Sequence, residues 1–187
     1  MKLGFAMCGS YCTHKAALNQ VDLLLENGYS IQPIVSENVY TTDTRFGKAE
    51  ALCSLLKEKS GNEVIHTIVD AEPLGPKSPM DALIICPCTG NTLAKMANGI
   101  TDTAVTMAAK AHLRSDRPLV IALASNDALS ANLKNIATLL SRKNVYFVPL
   151  VQDDPQNKPH SLVADFSLLL PTLRFAMEGK QYRKIFV

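Results

Sequence analysis

The chain has 187 residues, 47% hydrophobic and 19% charged, a balance expected of one globular domain over 1–187 in which 150–187 is a loop and helix extension. Nineteen basic and 17 acidic side chains leave a formal charge of +2, too even a mixture to mark a nucleic-acid binder, and no apolar run reaches membrane-spanning length or resembles a secretion leader. With no Trp and 6% aromatics, an aromatic-rich β-sandwich is disfavoured, and five cysteines in no scaffold spacing read as reduced thiols of a cytoplasmic protein.

Residues 3–7 form the first apolar run of strand length, without the alternation of a half-exposed strand, which is the pattern of burial on both faces. It leads into Cys8-Gly9-Ser10-Tyr11-Cys12-Thr13-His14, where a glycine permits close backbone approach and hydroxyls precede a helix N-terminus. That combination suits an anion such as a phosphate, and it equally suits an ordinary capped β–α turn. No Gly-Lys-Ser/Thr follows, so this is not a P-loop, and the full G-x-G-x-x-G fingerprint is absent. Ala17, Val21 and Leu24 give the next segment the stripe of a core-facing helix, which ends at Asn27-Gly28.

The second strand is expected over 31–35. Ser36 and Glu37 follow it, and Glu37 stands where a dinucleotide enzyme places its ribose-binding acid. Thr41 to Arg45 either folds over a ligand or is a solvated loop whose one cation is Arg45. A helix carrying Ala49, Leu52, Leu55 and Leu56 inward comes next, then a weaker strand over 64–68 and a proline-rich loop over 70–79. Residues 82–86 form the next strand, and it ends in a Pro87-Cys88-Thr89-Gly90-Asn91-Thr92 turn that enters a short Ala-rich helix.

A further helix runs from about Thr101 into His112, ahead of Pro118. The strand over 119–123 ends in Ala124-Ser125-Asn126-Asp127, and Leu133, Ile136, Ala137 and Leu140 mark the inner stripe of the helix that follows. A strand over 145–148, a polar loop over 152–159 and a last helix opened by Pro171 complete the chain. About six strands alternating with helices call for an α/β fold: a three-layer, doubly wound, mostly parallel sheet of Rossmann or flavodoxin type, most often ordered 3-2-1-4-5-6.

In such a sheet the ligand crevice lies beyond the carboxyl ends of the strands. The amides and hydroxyls after the strands at 82–86 and 119–123 therefore converge on a polar pocket with few charges, suited to a flat heterocycle with carbonyl and imide edges. Cys8, Cys12, Cys86 and Cys88 lack the paired C-x2-C spacing of a zinc site, so no metal is expected. The nucleophile elbow of a serine hydrolase is also missing.

Pro87 to Thr92, then Lys95, Ala97, Gly99 and Asp102, then Ala124-Ser125-Asn126 resemble the flavoprotein family of homo-oligomeric cysteine decarboxylases and flavin prenyltransferases, over roughly residues 1 to 150. Over the whole chain, NVYTTDTRFG (38–47), AEPLGPK (71–77), TGN (89–91), SNDAL (125–129) and QDDP (152–155) resemble the B-subunit family of dipicolinate synthases of spore-forming bacteria. That resemblance implies an oxidoreductase subunit with bound FMN, acting during sporulation with an A subunit that carries NAD(P). The pair would oxidise a dihydrodipicolinate-type ring, a small heterocyclic dicarboxylate, to dipicolinate. It also implies a homo-oligomer, trimeric or dodecameric.

Residue by residue, the resemblance assigns Gly9, Ser10 and Ser36 to the FMN phosphate, and Thr89, Gly90, Asn91 and Thr92 to the loop against the flavin. Ala124, Ser125 and Asn126 match the segment whose Asn lies by the substrate carboxylate in the decarboxylases. A dianionic substrate wants cations, which makes Arg45 and Lys77 its candidate carboxylate partners. His14 is a candidate base, with a structural cap as the alternative. Two departures count against decarboxylation: 72–79 lacks the family's His, and its Pro-x-Met-Asn-x-x-Met motif is altered to Leu123-Ala124-Ser125-Asn126-Asp127-Ala128-Leu129. A non-catalytic subunit that stabilises or completes its partner's site is the competing expectation.

Overall fold

Each of the first two strands is apolar where it is buried and parallel because a helix returns the chain to the same end of the sheet. In a computed structural model that describes residues 1–77 and 79–186, β1 (Lys2–Met7) is followed by α1 (His14–Glu26), and Gly28 takes the left-handed conformation just past it at φ 79°. Then come β2 (Ser30–Val35), the short α2 (Glu37–Thr41), α3 (Ala49–Ser60) and the one-turn α4 (Ile68–Ala71). The loop expected over 70–79 is present from the end of α4, with Ser78 outside the described residues. It leads to β3 (Ala82–Thr89), α5 (Gly90–Ala97), α6 (Ala104–Leu113) and β4 (Leu119–Ser125). The chain closes with α7 (Leu133–Leu140), β5 (Val145–Phe147), β6 (Leu150–Val151), β7 (Leu162–Ala164) and α8 (Leu169–Met177).

The sheet runs β2-β1-β3-β4 in parallel, and two strands share the far edge of β4. β5 pairs in parallel with the amino half of β4, Leu119 opposite Val145, while β7 pairs antiparallel with its carboxyl end, Ala124 opposite Val163. β6 and β7 form an antiparallel hairpin whose loop is the polar stretch at 152–159. α1, α3 and α8 cover one face and α4 to α7 the other, as right-handed crossovers require. Among the described residues no helix is long and apolar enough to cross a membrane.

The strand expected over 64–68 occupies its Rossmann position but shrinks to one parallel bridge, Ile34 with Ile65. Pro33 is the reason. Its carbonyl accepts from Ile65 N–H at 3.0 Å, and Val35 N–H donates to Ile65 O at 2.8 Å, yet proline has no N–H for the next bond of the ladder. Gln32 Nε2 donates to Glu63 O at 2.8 Å instead. At the other end Thr67 turns the chain into α4, its hydroxyl accepting from Asp70 N–H.

Two further expectations need correction. The inner face of α7 is Asn135, Ile136 and Leu139, whereas Leu133, Ala137 and Leu140 of the expected stripe face outward. The helix is turned because Asn132 and Asn135 are drawn inward by a polar network described below. The two antiparallel strands β6 and β7 were not expected, being too short to make a periodicity.

Candidate functional site

Beyond the carboxyl ends of β1, β3 and β4 lies a cleft of about 620 Å³. Gly9, Ser10, Tyr11 and Cys12 line it from the loop after β1; Thr89, Gly90 and Asn91 from the start of α5; and Ala124, Ser125, Asn126 and Asp127 from the end of β4. Arg45 and Phe46 reach it from the loop before α3, and Asp153 and Lys158 from the β6–β7 hairpin. Most of the residues assigned to a ligand by resemblance therefore meet in one place.

The floor of the cleft follows from a proline in a central strand. Pro87 cannot donate to the ladder, and β3 shifts register against β4 between Ile85 and Cys88 while Cys8 N–H donates to Pro87 O at 3.1 Å. Residues 87–89 are thus strand rather than the expected turn, and the helix begins directly at Gly90. Thr89 caps it, its hydroxyl accepting from Thr92 N–H at 3.3 Å, and Thr92 Oγ1 donates to Cys8 Sγ at 3.3 Å. Thr92 is accordingly buried and does not line the cleft; it ties α5 to β1. Burial pushes the Cys8 thiol up to about 11 and those of Cys86 and Cys88 well above the ordinary value, so these thiols are protonated packing groups.

Gly90 is required sterically. A Cβ there would lie 2.5 Å from Ser125 Oγ and 2.6 Å from Asn132 Nδ2. Those two atoms are the donors of a half-buried network: Ser125 Oγ donates to Asp127 Oδ1 at 2.5 Å, and Asn132 Nδ2 to the same oxygen at 2.8 Å. These bonds hold the Asp127 carboxyl below the usual carboxylate range, the Ser125 bond contributing most. Asp127 is therefore ionised at neutral pH. Lys158 pairs with Asp153 at 3.1 Å, a bond that raises the lysine, and the Arg45 guanidinium lies 4.8 Å from the Phe46 ring centroid.

His14, Lys77 and Glu37 sit elsewhere, and Ser36 lies at the neighbouring end of β2 without lining the cleft. His14 is buried behind the β1 loop with Nε2 donating to Cys8 O at 2.8 Å, and burial lowers its pKa, so it is a neutral strut between α1 and β1 rather than a base in the cleft. Lys77 is exposed on the connector that enters the amino end of β3, at the opposite end of the sheet, and does not line the cleft. Ser36 lies at the carboxyl end of β2, beside β1, where its N–H donates to Met7 O at 3.0 Å. Its buried Oγ has no hydrogen-bond partner among the described residues. Glu37 is the exposed first residue of α2.

Sequence reasoning missed Asn132, Asp153, Lys158, Tyr11 and Phe46 as cleft residues, and Asp127 as the charge they surround. Asn132 reaches the site only because the chain turns back after β4, Asn132 N–H donating to Asp127 O at 3.1 Å. The polarity of 152–159 was the one available signal for the hairpin.

This doubly wound sheet with a donor-lined cleft is that of a known class: a profile of the Flavoprotein family matches residues 1–165, and the chain belongs to that family. Along its full length it is similar to the dipicolinate synthase B subunit of Bacillus subtilis (strain 168), 44% identical over 186 residues that cover 100% of this chain and 93% of that one. The crystal structure of the dipicolinate synthase B subunit from Bacillus halodurans C superposes with a TM-score of 0.91 at 42% identity, over 100% of this chain and 95% of that one. The FMN-dependent cysteine decarboxylase SpaF, at 22% identity and a TM-score of 0.68 over 91% of this chain and 93% of that one, shares the fold.

Proposed function

We propose that this chain is the flavin-binding B subunit of a dipicolinate synthase, acting with a nicotinamide-binding A subunit to oxidise a dihydrodipicolinate-type ring to dipicolinate. The observation that carries the reading is the convergence of Gly9, Ser10, Thr89, Gly90, Asn91 and Ser125 on one cleft, together with a buried Ser36 hydroxyl that lacks a protein partner. Such an orphan is expensive unless a ligand or water accepts it. FMN fits this donor set. Ser10 and Ser36 would hold its phosphate, and Thr89 to Asn91 and Ala124 to Ser125 would border its ring.

When bound, FMN supplies a two-electron hydride acceptor. The chain's own residues do the rest. Arg45 offers the carboxylate-binding cation, Asn126 stands exposed at the cleft edge as a further amide donor, and the apolar Phe46 covers one wall. Assembly into a homo-oligomer belongs to the same reading, with exposed Tyr40, Phe46, Ile100 and Phe175 available for contacts between copies. The test is a titration of the purified chain with FMN, followed by flavin absorbance and fluorescence. Saturable binding in the native protein, weakened in Asn91→Ala and lost in Gly90→Ala, supports the reading; a folded native protein that leaves FMN free overturns the flavin part of it.

A further inference from the structure

The cleft contains a carboxylate with no counter-charge. Both bonds that orient Asp127 land on a single oxygen, Oδ1. The donors are fixed in turn: Ser125 and Asn132 are buried, and Asn135 Nδ2 donates to Asn132 Oδ1 at 2.8 Å, which obliges Asn132 to present its NH2 to Asp127. Among the described residues no side chain donates to Asp127 Oδ2 and no Lys or Arg pairs with it. The two cations that line the cleft have other contacts, Lys158 with Asp153 and Arg45 over Phe46.

An ionised carboxylate accepts hydrogen bonds and cannot donate them. In a concave site its free oxygen favours an N–H and repels both a carboxylate and an aromatic nitrogen lone pair. We propose that Asp127 is a specificity-determining residue that recognises a ring N–H of the heterocycle bound in the cleft. The proposal rests on the functional reading above. The imide edge of a flavin meets this requirement, an N–H between two carbonyls with no anion beside it, whereas the nitrogen of a 2,6-dicarboxylate ring is flanked by the carboxylates that Asp127 repels.

A reduced dicarboxylate ring would have to reach Asp127 with its N–H past its own carboxylates, and the experiment separates the two sources.

The native protein and Asp127→Asn are titrated calorimetrically with two pairs of ligands that differ in a ring N–H: FMN against 3-methyl-FMN, and 4-pyridone-2,6-dicarboxylate against dipicolinate. In the variant, Ser125 and Asn132 still donate to the side-chain oxygen, so the amide NH2 turns to the cleft and the acceptor becomes a donor. The native protein is expected to prefer the N–H member of one pair by about tenfold, and the variant to invert that preference. Inversion in the flavin pair assigns the contact to the cofactor's imide; inversion in the dicarboxylate pair assigns it to the substrate ring. Lost binding in the variant without inversion, or equal binding of both members by both proteins, overturns the proposal and leaves the ligand reading of the cleft standing. Failure of all four ligands to bind the native protein overturns both.

Discussion

Two consecutive helices begin with the same pattern, Thr89 with Thr92 and Thr103 with Thr106, and use it differently. At α6 the pair closes on itself: Thr106 N–H donates to Thr103 Oγ1 at 3.2 Å and Thr103 N–H to Thr106 Oγ1 at 3.1 Å, a reciprocal capping box. At α5 the first half is kept, but Thr89 is still a strand residue paired with Ala124, and the second hydroxyl turns to Cys8. A helix that springs straight from a strand cannot use its third residue on its own cap. The released hydroxyl ties the ligand loop to β1, so a local stability device becomes a tertiary one at the cleft.

Substitutions can break this contrast. Gly90→Ala, which drives a Cβ into Ser125 and Asn132, has the largest expected effect, roughly 1–3 kcal/mol of stability, with loss of FMN binding; urea denaturation and flavin titration report the two separately. Thr103→Ala is expected to cost about 1 kcal/mol and to leave binding untouched, whereas Thr89→Ala costs a similar amount and weakens binding as well. If both alanine variants bind FMN like the native chain, the distinction between the two helix starts is wrong.

The buried histidines repeat the contrast with pH. His14 Nε2 donates to Cys8 O beside the cleft, and His112 Nε2 donates to Pro118 O at 2.9 Å at the other end of the sheet. Burial lowers both from 6.5. A histidine whose folded pKa is depressed stabilises fully above the unfolded value, and that contribution is lost as pH falls through the folded value. Thermal midpoints are expected to fall by a few degrees, roughly, between about pH 7 and pH 5. His112→Gln should flatten that fall while leaving the pH dependence of FMN binding as it was; an unchanged slope argues against the assignment.

The smallest effects sharpen the two ends of the sheet. Arg45→Ala is expected to weaken dicarboxylate binding by about fivefold or less, as befits an exposed cation. Lys77→Ala should change nothing measurable, and calorimetry on both tests which cation faces the ligand.

Much of this was legible in sequence because burial on both faces writes itself as an unbroken apolar run: β1 to β5 lie where such runs are, and Gly28 marks the end of α1. The donors after β3 and β4 were legible for the same topological reason, since strand ends in a parallel sheet share one crevice. What escaped detection depends on three dimensions. Lys77 is near a strand end in sequence, at 70–79, but that connector carries the chain to the far end of the sheet. The α7 stripe is displaced by about one residue because Asn132 and Asn135 answer Asp127, a bond no periodicity records. β6 and β7 are two and three residues long and announce nothing.

The abbreviated pairing at Ile65 has a consequence for how copies of this chain can meet. An open strand edge recruits other strands, and proteins that keep one exposed risk fusing into continuous sheets. Here one margin is blunted by Pro33 and by Gln32 covering Glu63 O, and the other is closed by the chain's own tail, with Leu150 N–H donating to Ile185 O and Leu150 bridging Phe186. Among the described residues neither margin offers a free ladder, which favours helical surfaces and loops for any contact between copies, and the proline that cost the chain a strand also blunts that edge.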